Sequence, residues 1–154
     1  MVRDMWLEDF TVGQRFRSRG ATLSEAQILD FAWAHDPQPF HIDKEAAAAS
    51  PYGGVIASGF QTLLVAFRLF YHERIMNAAS LGSPGMDEVR WLAPVRPGDT
   101  IHVEAEVKEV RPSSSRPDRG TAILAYEVVN QDGRTVMTYR VTHIFRRRPE
   151  AASG

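Results

Sequence analysis

The chain has no cysteine in its 154 residues. A disulfide framework, a thiolate metal site and a cysteine nucleophile are thereby excluded together, and chemistry falls to His, Asp, Glu, Ser or backbone groups. A surplus of one charge is missing too. The 18 Lys and Arg nearly offset 19 Asp and Glu, for a net charge of -1, so no broad basic face is available for nucleic acid. Long apolar runs are lacking: nothing approaches the roughly 20 residues that a membrane span needs, and the opening MVRDMWLEDFTVGQ has no apolar stretch. The expectation is a cytoplasmic protein with neither membrane nor nucleic-acid partners. What is present, 44% hydrophobic and 24% charged residues without internal repeats, suits one folded domain. That domain is expected over residues 1–148, with 149–154 a disordered tail and Arg146, Arg147 and Arg148 a solvated strand end.

Along the chain, the run 14–22 reads as a first strand. Thr22 with Glu25 forms a capping-box pattern, after which Ile28, Leu29, Phe31 and Ala32 recur at helical spacing. The helix must stop near His35, because Asp36 and Gln38 each precede a proline and are pushed out of the α region. A short alanine-rich helix follows in DKEAAAAS. In GFQTLLVAFRLFYHERI, apolar residues surround most of a helical circumference, which predicts a helix buried at the centre of the fold. From residue 87 the period becomes two: in TIHVEAEVKEV, Ile101, Val103, Ala105 and Val107 share a face. TAILAYEVVN and TVMTYRVTHIF read as further strands, joined by a hairpin at NQDG with Gly133 free to take positive φ. RPSSSRPDRG, 111–120, reads as an exposed loop. The implied architecture is α+β, an antiparallel sheet wrapped over one central helix.

Two stretches carry candidate chemistry. HDPQPFHID, 35–43, offers His35, Asp36, His41 and Asp43 as metal ligands, but without an accompanying ligand motif. As an acid-base site, Asp36 and His41 are separated by four residues, two of them proline, so the stiff chain can hold both against one water. A proline-rich turn with a capping Asp would look the same. In GGVIASGF, 53–60, Ser58 is a plausible N-cap, and Gly59 would then point a free N–H out of the helix's positive end, suiting an oxyanion. Gly59 could equally serve tight packing. Ser58 as a nucleophile lacks a GxSxG elbow. His72, His102 and His143 read as surface or packing residues, and Trp6, Trp33 and Trp91 as core or interface aromatics.

Taken together, FAWAHDPQPFHID, the later GVIASGF and the strand entry WLAPVRPGDTI resemble the MaoC-like dehydratases, a hotdog-fold family that includes R-specific enoyl-CoA hydratases. The resemblance implies Asp36 and His41 as the catalytic dyad and Gly59 as the oxyanion donor. The implied reaction is reversible syn addition of water to a trans-2-enoyl thioester, on CoA or an acyl-carrier protein, without metal or redox cofactor. It places Gln38, Ser58 and Phe67 about the substrate, and it implies a homodimer or higher homo-oligomer. His35 and Gln38 depart from the family pattern, which usually has a small residue and Asn there, and Phe67 stands where a serine is frequent. The alternatives are a hotdog thioesterase and a non-catalytic acyl-thioester-binding subunit of a heteromeric dehydratase.

Overall fold

The computed structural model describes residues 4–150. Alternation in the C-terminal half becomes three long antiparallel strands, β4 (Thr100–Pro112), β5 (Arg119–Val129) and β6 (Thr135–Arg146). Their register aligns Ala105 with Tyr126 and Tyr126 with Tyr139, so the period of two gathers the apolar residues of all three on one buried face. Gly133, at φ 76°, turns the β5–β6 hairpin, and Asn130 Oδ1 accepts the N–H groups of Asp132 and Arg134 inside it. The expected loop at 111–120 is shorter, because Arg111 and Pro112 still pair with Thr121 and Gly120.

β1 (Arg15–Arg17) flanks β4, and β3 (Gly85–Trp91) flanks β6, giving the order β1-β4-β5-β6-β3 with β3 at an open edge. The single strand expected over 14–22 is two: β1 and the short β2 (Ala21–Thr22) both pair with β4. Between them the Ser18 hydroxyl accepts the Val103 N–H and interrupts the ladder.

The first long helix, α1 (Glu25–His35), begins two residues later than the Thr22 pattern suggested. Thr22 is held in the sheet by Thr100, Oγ1 to Oγ1 at 2.7 Å, so Ser24 takes the capping role. Its hydroxyl accepts the Gln27 N–H, and Gln27 Oε1 accepts the Ser24 N–H.

The helix α4 (Gly59–His72) packs on the buried face of the sheet, where it buries Ala66, Leu69 and Phe70. Phe70 meets Phe16 and Tyr126 edge-on at 6.2 and 5.2 Å. This is the α+β hotdog arrangement. The expectation that α4 is buried all round needs correction, however. Phe60, Leu64, Phe67 and Tyr71 are 59, 55, 51 and 40% exposed, because one sheet can cover only one side of a helix.

At the end of β6, Arg147 and Arg148 bond to the Glu8 carboxylate, and Arg148 also to Asp9, so the strand end is tied to the short 3-10 turn Leu7–Asp9. Of the expected tail, Pro149 and Glu150 are exposed coil, and 151–154 lie outside the described residues. Among the described residues no helix is long and apolar enough to cross a membrane.

Candidate active site

The two prolines of HDPQPFHID have different jobs. Pro37 follows the C-cap Asp36 (φ -153°, ψ 72°), where α1 stops. Pro39 is the first residue of a helical turn, α2 (Pro39–Ile42), for which its fixed φ is already suited, and Gln38 before it is extended. The turn carries His41 back toward the end of α1. A third short helix, α3 (Lys44–Ala49), starts at once, and Asp43 caps it by accepting the Glu45 and Ala46 N–H groups.

Asp36 Oδ2 and His41 Nε2 come within 3.3 Å of each other, with both side chains nearly buried. On the other side of the ring, His41 Nδ1 lies 2.7 Å from the Ile56 carbonyl oxygen. A carbonyl can only accept, so Nδ1 carries a hydrogen, and in neutral His41 the lone pair is on Nε2, facing Asp36. The carboxylate accepts twice more: Oδ1 from the Gln38 amide at 2.8 Å and Oδ2 from the Ser58 hydroxyl at 2.7 Å. Burial pushes the Asp36 carboxyl up, but these hydrogen bonds and the attraction of His41 outweigh it and hold the group below its usual range.

Ser58 is the N-cap of α4, fully buried, and accepts the Phe60 N–H. Its proton is given to Asp36, which leaves it no freedom to act as a nucleophile. Gly59 is the first residue of α4, where an N–H has no partner in its own helix and the helix dipole is positive. The space that a Cβ would take on Gly59 is filled by the Trp91 indole, with Cε2 at 2.5 Å and Cδ1 at 3.0 Å.

Asp36, Gln38, His41, Gly59 and Trp91 line one cleft of about 490 Å³, whose other walls include Phe40, Tyr52, Phe60 and Val95. Phe67 is not among the lining residues; it lies on the exposed side of α4, stacked on Tyr71 at 5.8 Å. His35 leans on Phe31 at 5.0 Å and Asp43 is engaged as a cap, so neither joins Asp36 and His41. The Ile56 carbonyl escaped the sequence reading because a backbone group leaves no signature. Trp91, a core or interface aromatic by its sequence, stands in WLAPVRPGDTI, and only the fold brings that segment to Gly59.

A carboxylate and an imidazole beside a helix N-terminus, in one cleft, are groups able to accept and return protons next to the positive end of a dipole. The MaoC like domain model matches residues 9–128, and the chain belongs to that family. Among relatives, YdeM of Bacillus subtilis is 32% identical over 127 residues, spanning 82% of this chain and 89% of its own length. The 3-hydroxyacyl-thioester dehydratase Z of Mycobacterium tuberculosis is 32% identical over 119 residues, 76% of this chain and 77% of its own. The crystal structure of a MaoC-like dehydratase from Rhodospirillum rubrum superposes with a TM-score of 0.89 at 39% identity, covering 95% of this chain and 99% of that one.

Proposed function

We propose that the protein is a hydratase, or in reverse a dehydratase, that adds water syn across the C2–C3 double bond of a trans-2-enoyl thioester to give the (R)-3-hydroxyacyl thioester. The observation that carries this reading is that Asp36 and His41, 3.3 Å apart at Oδ2 and Nε2, line one cleft with Gly59, the first residue of α4. Two acceptors facing each other at 3.3 Å suit a bound water that donates one hydrogen to each. Its oxygen lone pair is then turned to C3. Attack breaks the π bond, the electron pair moves toward the thioester oxygen, and the Gly59 N–H stabilises the resulting enolate. Such a donor is worth about 3–4 kcal/mol of barrier. A proton returned to C2 from the same side completes the addition, so both parts of the water enter on one face.

The thioester is carried by CoA or by an acyl-carrier protein, and no metal or redox cofactor takes part. The exposed stripe of α4 and the open edge of β3 fit a second copy of the chain, and Phe60, Trp91 and Leu92 belong both to that apolar surface and to the cleft wall. The site is therefore completed in a homodimer, where Phe67 can reach the acyl group from the interface. Crotonyl-CoA tests the reading: the enoyl absorbance should fall with no free thiol released, and Asp36→Asn should lower kcat/KM by about 10²–10⁴-fold. Thiol release would favour a thioesterase. An unchanged spectrum with crotonyl and longer or branched enoyl-CoAs would overturn the proposal.

A further inference from the structure

We infer that Ser58 is a positioning residue: it keeps Asp36 a pure hydrogen-bond acceptor and so leaves His41 Nε2 as the atom that moves the proton. This rests on the hydratase reading for its kinetic meaning, but the hydrogen-bond arithmetic stands without it. Ser58 has one hydrogen to give. Its oxygen already accepts the Phe60 N–H at 3.2 Å, the residue is fully buried, and the hydrogen goes to Asp36 Oδ2 at 2.7 Å. The cap of α4 and the orientation of the carboxylate are thus one structure, and the helix start fixes the acid.

The consequence follows from the donors that Asp36 already accepts. Asp36 Oδ1 accepts from Gln38, and Oδ2 accepts from Ser58 with one lone pair left for the water. Taking the proton itself would turn the anion into a neutral acid and weaken both of these hydrogen bonds inside a mostly buried site. His41 has no such obstacle, since Nδ1–H is fixed by Ile56 and Nε2 is unencumbered. In the proposed reaction Nε2 removes a proton from water as the C3–O bond forms, and imidazolium Nε2–H then gives a proton to C2. The ring ends neutral and the sum is one water added. Asp36 stays anionic throughout, consistent with a carboxyl held below its usual range.

The titratable groups facing Asp36 are few. α2 contributes His41 at 3.3 Å, the loop after α3 contributes Tyr52, whose carbonyl is held by Arg96, and α4 contributes only the Ser58 hydroxyl and backbone. The segment 91–95 is uncharged. Removing the Ser58 donor therefore has one dominant effect on Asp36.

The test combines a titration with kinetics. The Asp36 carboxyl is followed by carbon NMR in the parent, Ser58→Ala, Ser58→Gly and Ser58→Thr, with Asp36→Asn assigning the signal. Glycine still serves as an N-cap, so Ser58→Gly separates the lost donor from a lost helix start. Both Ala and Gly should move the Asp36 midpoint up by about one pH unit, and Thr should restore it. With crotonyl-CoA the acid limb of kcat/KM should move the same way, with about a tenfold loss at its foot. An Asp36 midpoint and acid limb unchanged in Ala and Gly would overturn the inference. A parent that titrates as described but hydrates no enoyl-CoA would sink the hydratase reading while leaving the Ser58 contact intact.

Discussion

Two histidines are buried in this chain, and their neighbours set them to different uses. His41 meets a carboxylate at the wall of a cleft; His143 bonds to the Tyr126 hydroxyl at 2.6 Å and stacks on Phe145 inside the core. Burial lowers the His143 pKa to about 4, against an ordinary 6.5. Because the folded value is the lower one, the unfolded chain binds the extra proton first. The His143 contribution is complete above pH 6.5 and is lost as the pH falls toward 4, amounting to about 3 kcal/mol. His143→Gln should remove that slope from urea denaturation measured between those pH values, and an unchanged slope would show that His143 does not cause it. At the same scale, His41→Gln keeps polarity but removes the proposed base, and its kcat should fall by about 10²–10⁴-fold with folding intact by circular dichroism. Asp36 and His41 could be picked from sequence because two prolines between a carboxylate and an imidazole restrict where they can point. Their partners could not: Ser58 comes 22 positions after Asp36, and the Ile56 group that accepts from His41 is a backbone carbonyl.

At the scale of elements, the N-terminus of α4 is where the Ser58 cap, the Asp36–His41 pair and the proposed oxyanion donor Gly59 meet. Ser58 as N-cap and Gly59 as first residue were readable in the sequence, since a small cap followed by a helical apolar pattern has few other solutions. Tight packing was one of two reasons the sequence offered for the glycine, but the neighbour that requires it was not readable. Its φ is ordinary for a helix, and the constraint is the Trp91 ring occupying the Cβ position, brought there by the end of β3. Gly59→Ala should therefore displace Trp91. Overpacking costs about 1–3 kcal/mol in a rigid site, but Trp91 is 49% exposed and its ring can swing aside. The expected outcome is a shift in tryptophan emission and at least a tenfold loss of activity, with little loss of stability; full activity would remove Trp91 and Gly59 from the account. The start of α1 was misplaced by two residues because both Thr22-x-x-Glu25 and Ser24-x-x-Gln27 fit the capping pattern. The tie was broken by the pairing of Thr22 with Thr100, a contact distant in sequence.

For the whole molecule, the alternation of β4 to β6 and the apolar α4 made the hotdog layout legible. The extent of burial was not, because an all-round apolar helix reads alike whether its second face meets the same chain or another copy. Phe60, Leu64, Phe67 and Tyr71 remain uncovered in one chain, a stripe that soluble monomers seldom leave to water. Leu64→Glu, placed mid-stripe and outside the cleft lining, should shift sedimentation from dimer to monomer and lower hydratase activity at micromolar concentration. A fully active monomer would contradict a site completed by two copies. The central claim, one water delivered to one face by the Asp36–His41 pair, is tested most directly by hydrating crotonyl-CoA in deuterium oxide and determining the configuration of the product. The expected product is the (R)-3-hydroxy thioester with a single deuterium at C2 on the same face as the new hydroxyl. Deuterium on the opposite face, an (S) product, or release of CoA thiol in place of hydration would contradict it.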